Sequence, residues 1–268
     1  ICQTWNNKVA MLRCFTCNTI GEVEHELTRK DQAKLYIPVY RLAFGIYSNH
    51  LASKQIVQLK AASRLVQVDS CSYRVPNIVL VIGESYNKHH SQLYGYEKET
   101  TPYQMMMAEE GSLIPFTDVV SSWNLTSFVF KHMLSLYAVG DSGEWCDKPL
   151  FPEVFRKAGY HVTFITYQFL PKANEAVYDF SGGFFLNHPE LSQKQFDIRN
   201  TRLHRFDDGV IKELDSATAS HSELIILHLM GSHMDYRARY PQKTHRHFTP
   251  QMYNRPDLTN EQKQILAD

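Results

Sequence analysis

The sequence predicts an α/β fold in which a mostly parallel sheet is sandwiched by helices. Two continuous apolar runs, at 77–82 and 223–230, lack the alternation of half-exposed strands, which favours strands buried on both faces. From Pro76 onward, strand-like and helix-like segments alternate, as they do in βαβ units. With 268 residues, of which 43% are hydrophobic, the chain is long and apolar enough to build a buried core.

Residues 1–75 precede this alternating region and differ from it. They hold four of the five cysteines and contain helix-like stretches at 22–36 and 53–65. We therefore expect an arm that leads into the α/β body. Cys14 and Cys17 are spaced as Cys-x-x-Cys, and this single motif leaves a redox pair, half a zinc site, a local disulfide and a structural pair open.

Each element of the body is bounded by local signals. Thr101 followed by Pro102 predicts the start of a helix, and Gly111 predicts its end. After this helix the pattern predicts, in order, a strand at 114–120, a helix at 126–137, a helix at 151–158, a strand at 160–166, a helix at 203–214, the strand at 223–230 and a helical stretch at 258–266. No repeat or low-complexity tract interrupts the series, which therefore predicts one doubly wound domain.

Composition narrows the classes of function. The 28 lysine and arginine residues balance the 28 aspartate and glutamate residues, so no net charge draws the chain toward nucleic acid. The longest apolar runs fall far short of the roughly 20 residues that a membrane-spanning helix needs. The chain begins with Ile1 rather than methionine, and we expect it to be a piece of a longer protein.

Glu84 and Thr126 are the first candidates for chemistry. Glu84 follows an apolar run and Gly83, and open α/β sheets bind their ligands at the carboxyl ends of strands. Thr126 opens a predicted helix, where free N–H groups and the helix dipole favour a developing alkoxide. Because a threonine hydroxyl is a poor nucleophile without a divalent cation, the pair suggests a metal-activated nucleophile. Helix capping, by Thr126 or by Ser127, is the alternative.

Polar side chains also follow the other predicted strands. His228 and His233 bracket the end of the last strand and are able to reach the same rim as Glu84, to hold a phosphate oxygen or a metal. Gln168 and Lys172 follow the preceding predicted strand, where a lysine can pair with a phosphate. Ordinary roles are open for both pairs: chance spacing among 13 histidines, and a solvated loop.

Five short segments occur in a fixed order along the body. They are Val81-Ile82-Gly83-Glu84-Ser85, Leu93-Tyr94-Gly95-Tyr96, Glu99-Thr100-Thr101-Pro102, the segment around Thr126, and His228-Leu229-Met230-Gly231-Ser232-His233 with Arg239-Tyr240-Pro241. Together they resemble the phosphoethanolamine transferases of Gram-negative bacteria, which belong to the alkaline phosphatase and sulfatase superfamily.

The resemblance covers roughly residues 76–268 and implies an alkaline phosphatase/sulfatase-like fold, truncated at its C-terminus. It also implies a bacterial inner-membrane enzyme. Residues 1–75 would be the connecting arm after a missing membrane domain, and residues 76–268 the N-terminal part of a periplasmic catalytic domain.

The resemblance further implies a zinc site. Glu84 and Thr126 would bind the metal, and Thr126 would be the nucleophile that carries a covalent phosphoethanolamine. One zinc ion or two are implied, and the remaining ligands are expected beyond Asp268, because the family's later Asp-His-Gly segment does not occur before that residue. Many members have a disulfide beside the nucleophile where this sequence has Ser122 and His132, so local rigidity must come from packing.

The implied substrates are lipids. His233 would contact substrate phosphate or a second zinc, with His228 as a nearby partner that has less support. Gln168 and Lys172 would line the phosphoethanolamine pocket. Phosphatidylethanolamine would be the donor and lipopolysaccharide, on lipid A or the core sugars, the acceptor; the membrane is a partner and nucleic acid is not.

Three other functions stay open. A sulfatase or phosphodiesterase would use the same scaffold, although the residues after Thr126 lack the Cys/Ser-x-Pro-x-Arg context of formylglycine sulfatases. A glycerol-phosphate transferase and a non-catalytic sensor domain are the others.

Overall fold

The computed structural model describes residues 5–28, 38–121, 123–168, 170, 185–214, 222–253 and 255–268. Its helices are α1 (Trp5–Cys14), α2 (Ile20–Thr28), α3 (Pro38–Arg64), α4 (Pro102–Glu109), α5 (Thr126–Leu134), α6 (Phe151–Lys157), α7 (Pro189–Gln195), α8 (Asp208–Leu214), α9 (Gln242–His245) and α10 (Asn260–Ala267). Its strands are β1 (Asn77–Ile82), β2 (His161–Thr166), β3 (Ile198–Arg199) and β4 (Glu223–His228). Short 3-10 turns lie at Lys88–His90, Gln92–Tyr94, Trp145–Asp147, Phe185–Asn187, Tyr236–Ala238 and Pro250–Met252.

The strands form one parallel sheet in the order β1-β4-β2-β3. The last residues of β1, β4 and β2, which are Ile82, His228 and Thr166, pair side by side. The carboxyl ends of these strands therefore meet at one border of the sheet, here called the carboxyl edge; their first residues define the amino edge. The predicted α/β fold, with a parallel sheet flanked by helices, is confirmed.

One hydrophobic core joins the sheet to the helices. Phe164 of β2 and Ile226 of β4 pack with Phe130 and Leu134 of α5, and each of the four is 1% exposed. Leu59 of α3 belongs to the same core. Burying a side chain of this size contributes about 1.5–3 kcal/mol relative to leaving it exposed. The core thus fixes α5 against the central strands.

The prediction that β1 is buried on both faces is wrong. Exposure alternates along the strand, and Val79 and Val81 are each 54% exposed. Among the described residues β1 pairs only with β4, so it borders the sheet and one of its faces stays open. The predicted strand at 114–120 is also wrong: these residues have no regular structure, and no strand of the described chain pairs with them.

Most predicted helix and strand ends are close to the observed ones. Thr101 is the N-cap of α4, and Gly111, at φ 74°, follows its end as predicted. The structure shortens three predicted elements to α5 (Thr126–Leu134), α8 (Asp208–Leu214) and β4 (Glu223–His228). At the end of α5, Ser135 is extended and its hydroxyl donates to the carbonyl of Trp145 at 2.6 Å, which draws the chain out of the helix.

The helices before β1 have a small core of their own beside α5. Its buried members are Cys14, Cys17, Ile20, Val23, Leu51 and Phe128. Both cysteines are free, so the pair is not a disulfide, and burial above all raises the pKa of Cys14 to about 12. No helix in the described ranges has the length and apolar character needed to cross a membrane. The division into an arm and a body at residue 75 stays a prediction.

Candidate active site

Glu84 and Thr126 meet at the carboxyl edge although 42 residues separate them. Glu84 comes two residues after the end of β1, and Thr126 begins α5. The Thr126 hydroxyl donates a hydrogen bond of 2.7 Å to Glu84 Oε2, and the Ser85 hydroxyl donates one of 3.1 Å to Oε1. The structure thus brings together the two residues from which the sequence predicted a metal-activated nucleophile, and their chemical roles stay predictions.

Glu84 carries a largely buried negative charge. Its side chain is 13% exposed. Burial opposes ionisation, but the neighbouring imidazole of His228 and the hydroxyls of Thr126 and Ser85 outweigh it and lower the pKa of Glu84 to about 2. No lysine or arginine in the described part of the chain forms an ion pair with this carboxylate. The basic side chains that lie near it there are the imidazoles of His228 and His233.

Thr126 lies at the amino end of a helix without capping it. It is the first residue of α5, the preceding residue is the N-cap, and no side chain caps the helix. Capping is therefore not the role of the Thr126 hydroxyl, which is directed to Glu84. Beside it, Trp123 packs on Phe128 and His132 with ring centroids 5.0 and 5.8 Å apart. Of the two positions where relatives were expected to have a disulfide, His132 takes part in this packing, and Ser122 lies outside the described residues.

His228 lies next to Glu84 on the interior side and is fully buried. Its Nε2 is 3.7 Å from Glu84 Oε2, and its Nδ1 is 3.0 Å from Thr166 Oγ1. Because the Thr166 hydroxyl donates its proton to the carbonyl of Gln168 at 2.6 Å, His228 Nδ1 is the donor to Thr166. His228 lies at the end of the central strand β4, and its predicted contact with a substrate stays a prediction.

His233 lies on the more open side of Glu84. Its side chain is 36% exposed, and its Nδ1 is 3.7 Å from Glu84 Oε1. Residues 229–234, here called the exit turn, carry it: the N–H of Ser232 donates to the Glu84 carbonyl at 3.1 Å, and that of His233 donates to the Met230 carbonyl at 3.2 Å. Gly231 has φ 53°, and a Cβ there would lie 2.5 Å from the Glu84 carbonyl oxygen. Glycine lets the turn lie directly on the Glu84 backbone.

Gln168 is near this turn. Gln168 Nε2 lies 3.4 Å from Met230 Sδ, so the side chain contacts the exit turn. Lys172 lies outside the described residues. Of the predicted site residues, Glu84, Thr126, His228 and His233 form one group, with Gln168 beside it.

Asp207 is a residue that sequence reasoning missed. It immediately precedes α8, and its carboxylate accepts hydrogen bonds from the N–H groups of Met230 at 2.7 Å and Gly231 at 2.9 Å. An aspartate just before a helix is typical of an N-cap. No side-chain pattern signals its bonds to amides 23 and 24 residues further along the chain.

The donors at the carboxyl edge suit zinc in kind. Zinc takes carboxylate oxygen and imidazole nitrogen ligands, and a buried carboxylate without a cationic side chain is a place where a metal ion would balance charge. The set is incomplete in number, because the described ranges contain no group of three or more histidine, cysteine, aspartate or glutamate side chains that could hold a metal ion.

The chain is similar in sequence to known proteins. The profile of the sulfatase family matches residues 76–263. The chain is 29% identical over 172 residues to the phosphoethanolamine transferase CptA of Salmonella typhimurium, an alignment that covers 62% of this chain and 28% of that protein. It is 32% identical over 160 residues to the phosphoethanolamine transferase EptA of Helicobacter pylori, covering 58% of this chain and 28% of that protein. The chain therefore spans about 28% of the length of these relatives.

Solved structures share the fold. The C-terminal periplasmic domain of EptC from Escherichia coli aligns with a TM-score of 0.55 at 25% identity, over 72% of this chain and 53% of that domain. Its complex with Zn aligns with a TM-score of 0.55 at 24% identity, over 72% and 54%. The soluble domain of lipooligosaccharide phosphoethanolamine transferase A from Neisseria meningitidis aligns with a TM-score of 0.50 at 20% identity, over 77% and 62%.

Proposed function

The chain belongs to the sulfatase family, and from this premise we propose that it is part of a zinc-dependent phosphoethanolamine transferase. In the proposed reaction, phosphoethanolamine passes from phosphatidylethanolamine to a phosphate or hydroxyl of lipopolysaccharide, on lipid A or the core sugars. Similarity to phosphoethanolamine transferases of two other bacteria supports the reaction class. The observation that carries the proposal is the hydrogen bond between the Thr126 hydroxyl and Glu84.

Thr126 is the proposed nucleophile. Its oxygen attacks the phosphorus of phosphatidylethanolamine, a P–O bond to Thr126 forms, and the P–O bond to diacylglycerol breaks. Overall, the threonine proton moves to the diacylglycerol oxygen. In the second step an acceptor oxygen attacks the same phosphorus, a P–O bond to the acceptor forms, the P–O bond to Thr126 breaks, and Thr126 regains a proton from the acceptor. The first turn of α5 favours both steps, because its free N–H groups and the helix dipole stabilise phosphoryl oxygens.

Glu84 orients the nucleophile, and His228 orients Glu84. The 2.7 Å hydrogen bond fixes the direction of the Thr126 oxygen. This lowers the entropic cost of reaching the geometry for an in-line attack. His228 is held by Thr166 and faces Glu84 from the interior, the arrangement in which a buried group fixes a ligand or catalytic carboxylate.

Glu84 and Thr126 are also the residues that would hold zinc, with further ligands from parts of the protein outside the described residues. When bound, zinc neutralises negative charge and makes an alcohol oxygen a stronger nucleophile. Two observations support the assignment: the buried Glu84 carboxylate has no lysine or arginine partner in the described ranges, and the periplasmic domain of EptC from Escherichia coli is known in complex with Zn.

His233, Gln168 and Lys172 are the proposed substrate-binding residues. The exposure of His233 and its place beside Glu84 suit a contact to a phosphoryl oxygen. Gln168 neighbours the exit turn and suits the phosphoethanolamine group, and Lys172 is assigned by sequence alone. We assign this part of the protein to the periplasm, with residues 1–75 as the arm toward the bacterial inner membrane; the aligned periplasmic domains support that location.

The proposal is tested by substituting the nucleophile. Thr126→Ala in the full-length protein is expected to abolish the phosphoethanolamine adduct, measured by peptide mass spectrometry, and the release of diacylglycerol. Ser127→Ala is the matched control, because it removes the adjacent buried hydroxyl and keeps the adduct. An adduct on another residue of the Thr126→Ala protein would reject the assignment. Free phosphoethanolamine without modified lipopolysaccharide would instead indicate a phosphodiesterase.

A further inference from the structure

We propose that Asp207 is a positioning residue, which sets the His233 imidazole relative to the Glu84 carboxylate by holding the exit turn. The inference rests on the proposed transfer reaction and adds to it a residue that does not touch the substrate. Three observations carry it: the contact that Asp207 makes, the element that holds Asp207, and the contact between the exit turn and Glu84.

The Asp207 carboxylate uses both oxygens on two consecutive amides. Oδ1 accepts from the N–H of Met230 at 2.7 Å, and Oδ2 accepts from the N–H of Gly231 at 2.9 Å. Hydrogen bonds to an ionised acceptor are roughly twice as strong as neutral ones, and a two-point contact also fixes an orientation. The contact therefore determines how the chain turns as it leaves β4.

Asp207 has a rigid base. It directly precedes α8, and the α8 residue Val210 is fully buried against Ile165 of β2 and Leu227 of β4. Because these two strands also deliver residues of the carboxyl edge, α8 cannot shift freely relative to that edge. The position of the Asp207 carboxylate is thus set by the core.

The held segment is the one that lies on Glu84. Gly231, whose N–H Asp207 binds, has its Cα against the Glu84 backbone, and the next residue, Ser232, donates to the Glu84 carbonyl at 3.1 Å. His233 follows, with its Nδ1 3.7 Å from Glu84 Oε1. A displacement of the turn would consequently move the His233 imidazole relative to the Glu84 carboxylate. Misplacement of a reacting group by about 1 Å can lower a rate about 100-fold.

The adjacent residue provides a matched control. Asp208 carries the same carboxylate one position later, but its side chain is 62% exposed and pairs with Lys212 at 2.7 Å on the surface of the same helix. Any general effect of removing an acidic residue at the start of α8 should appear in Asp208→Asn as well.

The first measurement examines the contact without any activity. In the full-length protein, Asp207→Asn is expected to speed hydrogen exchange at the Met230 and Gly231 amides at least about ten-fold, since an amide group replaces one of the two acceptor oxygens. Asp208→Asn should leave these two amides unchanged. Exchange at wild-type rates in Asp207→Asn would overturn the contact on which the inference depends.

The second measurement follows diacylglycerol release from phosphatidylethanolamine vesicles. Asp207→Asn is expected to lower kcat about 10- to 100-fold with KM changed less than about three-fold, and Asp207→Glu, which keeps a carboxylate, to recover most of the loss. In a His233→Ala background, Asp207→Asn should lower kcat less than about two-fold further, because both changes remove the same placement.

The outcomes separate the two proposals. If the effects of Asp207→Asn and His233→Ala multiply fully, or if Asp207→Asn keeps wild-type kcat despite fast exchange, Asp207 is merely structural and the inference is overturned. If the wild-type protein releases no diacylglycerol, the proposed transfer is rejected and the positioning role with it, whereas the exchange data still decide whether the Asp207 contact exists. Asp207→Ser, which keeps a polar side chain before α8 but has no second acceptor oxygen for the two amides, provides the same tests should Asp207→Asn not fold.

Discussion

The two edges of the sheet surround a buried carboxylate with different partners. At the amino edge, the Glu153 carboxylate is 5% exposed, accepts hydrogen bonds from Ser63 at 2.6 Å and Gln195 at 3.1 Å, and pairs with Lys157 at 3.2 Å. At the carboxyl edge, Glu84 has hydroxyls and imidazoles around it and no lysine or arginine partner in the described ranges. Among the described residues, a lysine pairs with the Glu153 carboxylate, whereas only hydroxyls and imidazoles face the Glu84 carboxylate.

The volume of a cavity and the lack of a basic partner for a carboxylate indicate different edges of the sheet as the functional site. A cavity of about 670 Å³ opens at the amino edge, lined by basic and acidic side chains. Two of those basic side chains are engaged: Arg156 pairs with Asp197 at 2.5 Å, and the Lys157 ammonium donates to the carbonyl of Ser63 at 2.8 Å. Paired charges of this kind join α3, α6 and the loop before β3. A carboxylate that lies beside a hydroxyl and has no lysine or arginine partner in the described ranges is the better indicator of a catalytic site.

The largest effect is expected for Glu84→Gln. It should lower kcat/KM for diacylglycerol release at least about 100-fold and weaken zinc binding, because the charge that would hold the cation is lost. Its free energy of unfolding at neutral pH should fall by about 1–3 kcal/mol, because the imidazole and hydroxyls that lower the pKa of Glu84 to about 2 stabilise the ionised carboxylate in the folded protein. Activity assays, zinc titration and chemical denaturation measure the three quantities.

The same substitution at the amino edge should lower the stability of the protein without lowering its activity per folded molecule. Glu153→Gln is expected to lower the free energy of unfolding by about 1.5–3 kcal/mol, because hydrogen bonds and an ion pair to a buried carboxylate are weakened. Zinc affinity and kcat per folded molecule should match wild type. Equal losses of activity in both variants would remove the distinction between the edges.

A smaller effect is expected at two glycines with positive φ. Gly231→Ala, at the carboxyl edge, would bring a Cβ within 2.5 Å of the Glu84 carbonyl oxygen, and Gly159→Ala, at the amino edge, would meet the hydroxyl of Tyr73. Each should lower the free energy of unfolding by about 1–2 kcal/mol through left-handed strain. Only Gly231→Ala should also reduce kcat, by about ten-fold. A matching loss in Gly159→Ala would show that strain alone lowers activity.

The sequence was sufficient wherever a short local pattern decides the structure. The apolar run before Glu84 predicted a parallel strand, and the topology of such sheets predicted that Glu84 and Thr126 would meet at one edge. The same run predicted burial of Val79 and Val81 incorrectly, because periodicity does not distinguish a central strand from a bordering one. The segment at 114–120 has the composition of a strand and no partner strand among the described residues.

The site residues beyond this pair depended on long-range packing. His228 was predicted at the rim from its spacing to His233, yet its place at the end of the central strand β4 buries it completely. Asp207 was missed because its partners are backbone amides, which every residue except proline has and which no sequence pattern can therefore indicate. A carboxylate just before a helix therefore has two interpretations, a cap or a support for a distant turn, and the sequence alone favours the cap.

The position of a zinc ion tests the central claim most directly. Anomalous diffraction at the zinc edge, from crystals of the full-length protein with zinc, should show a peak within about 2.0–2.2 Å of oxygens of both Glu84 and Thr126. Loss of that peak in Glu84→Gln crystals, with zinc retained elsewhere, would strengthen the assignment. A fully occupied zinc that contacts neither Glu84 nor Thr126 would contradict it.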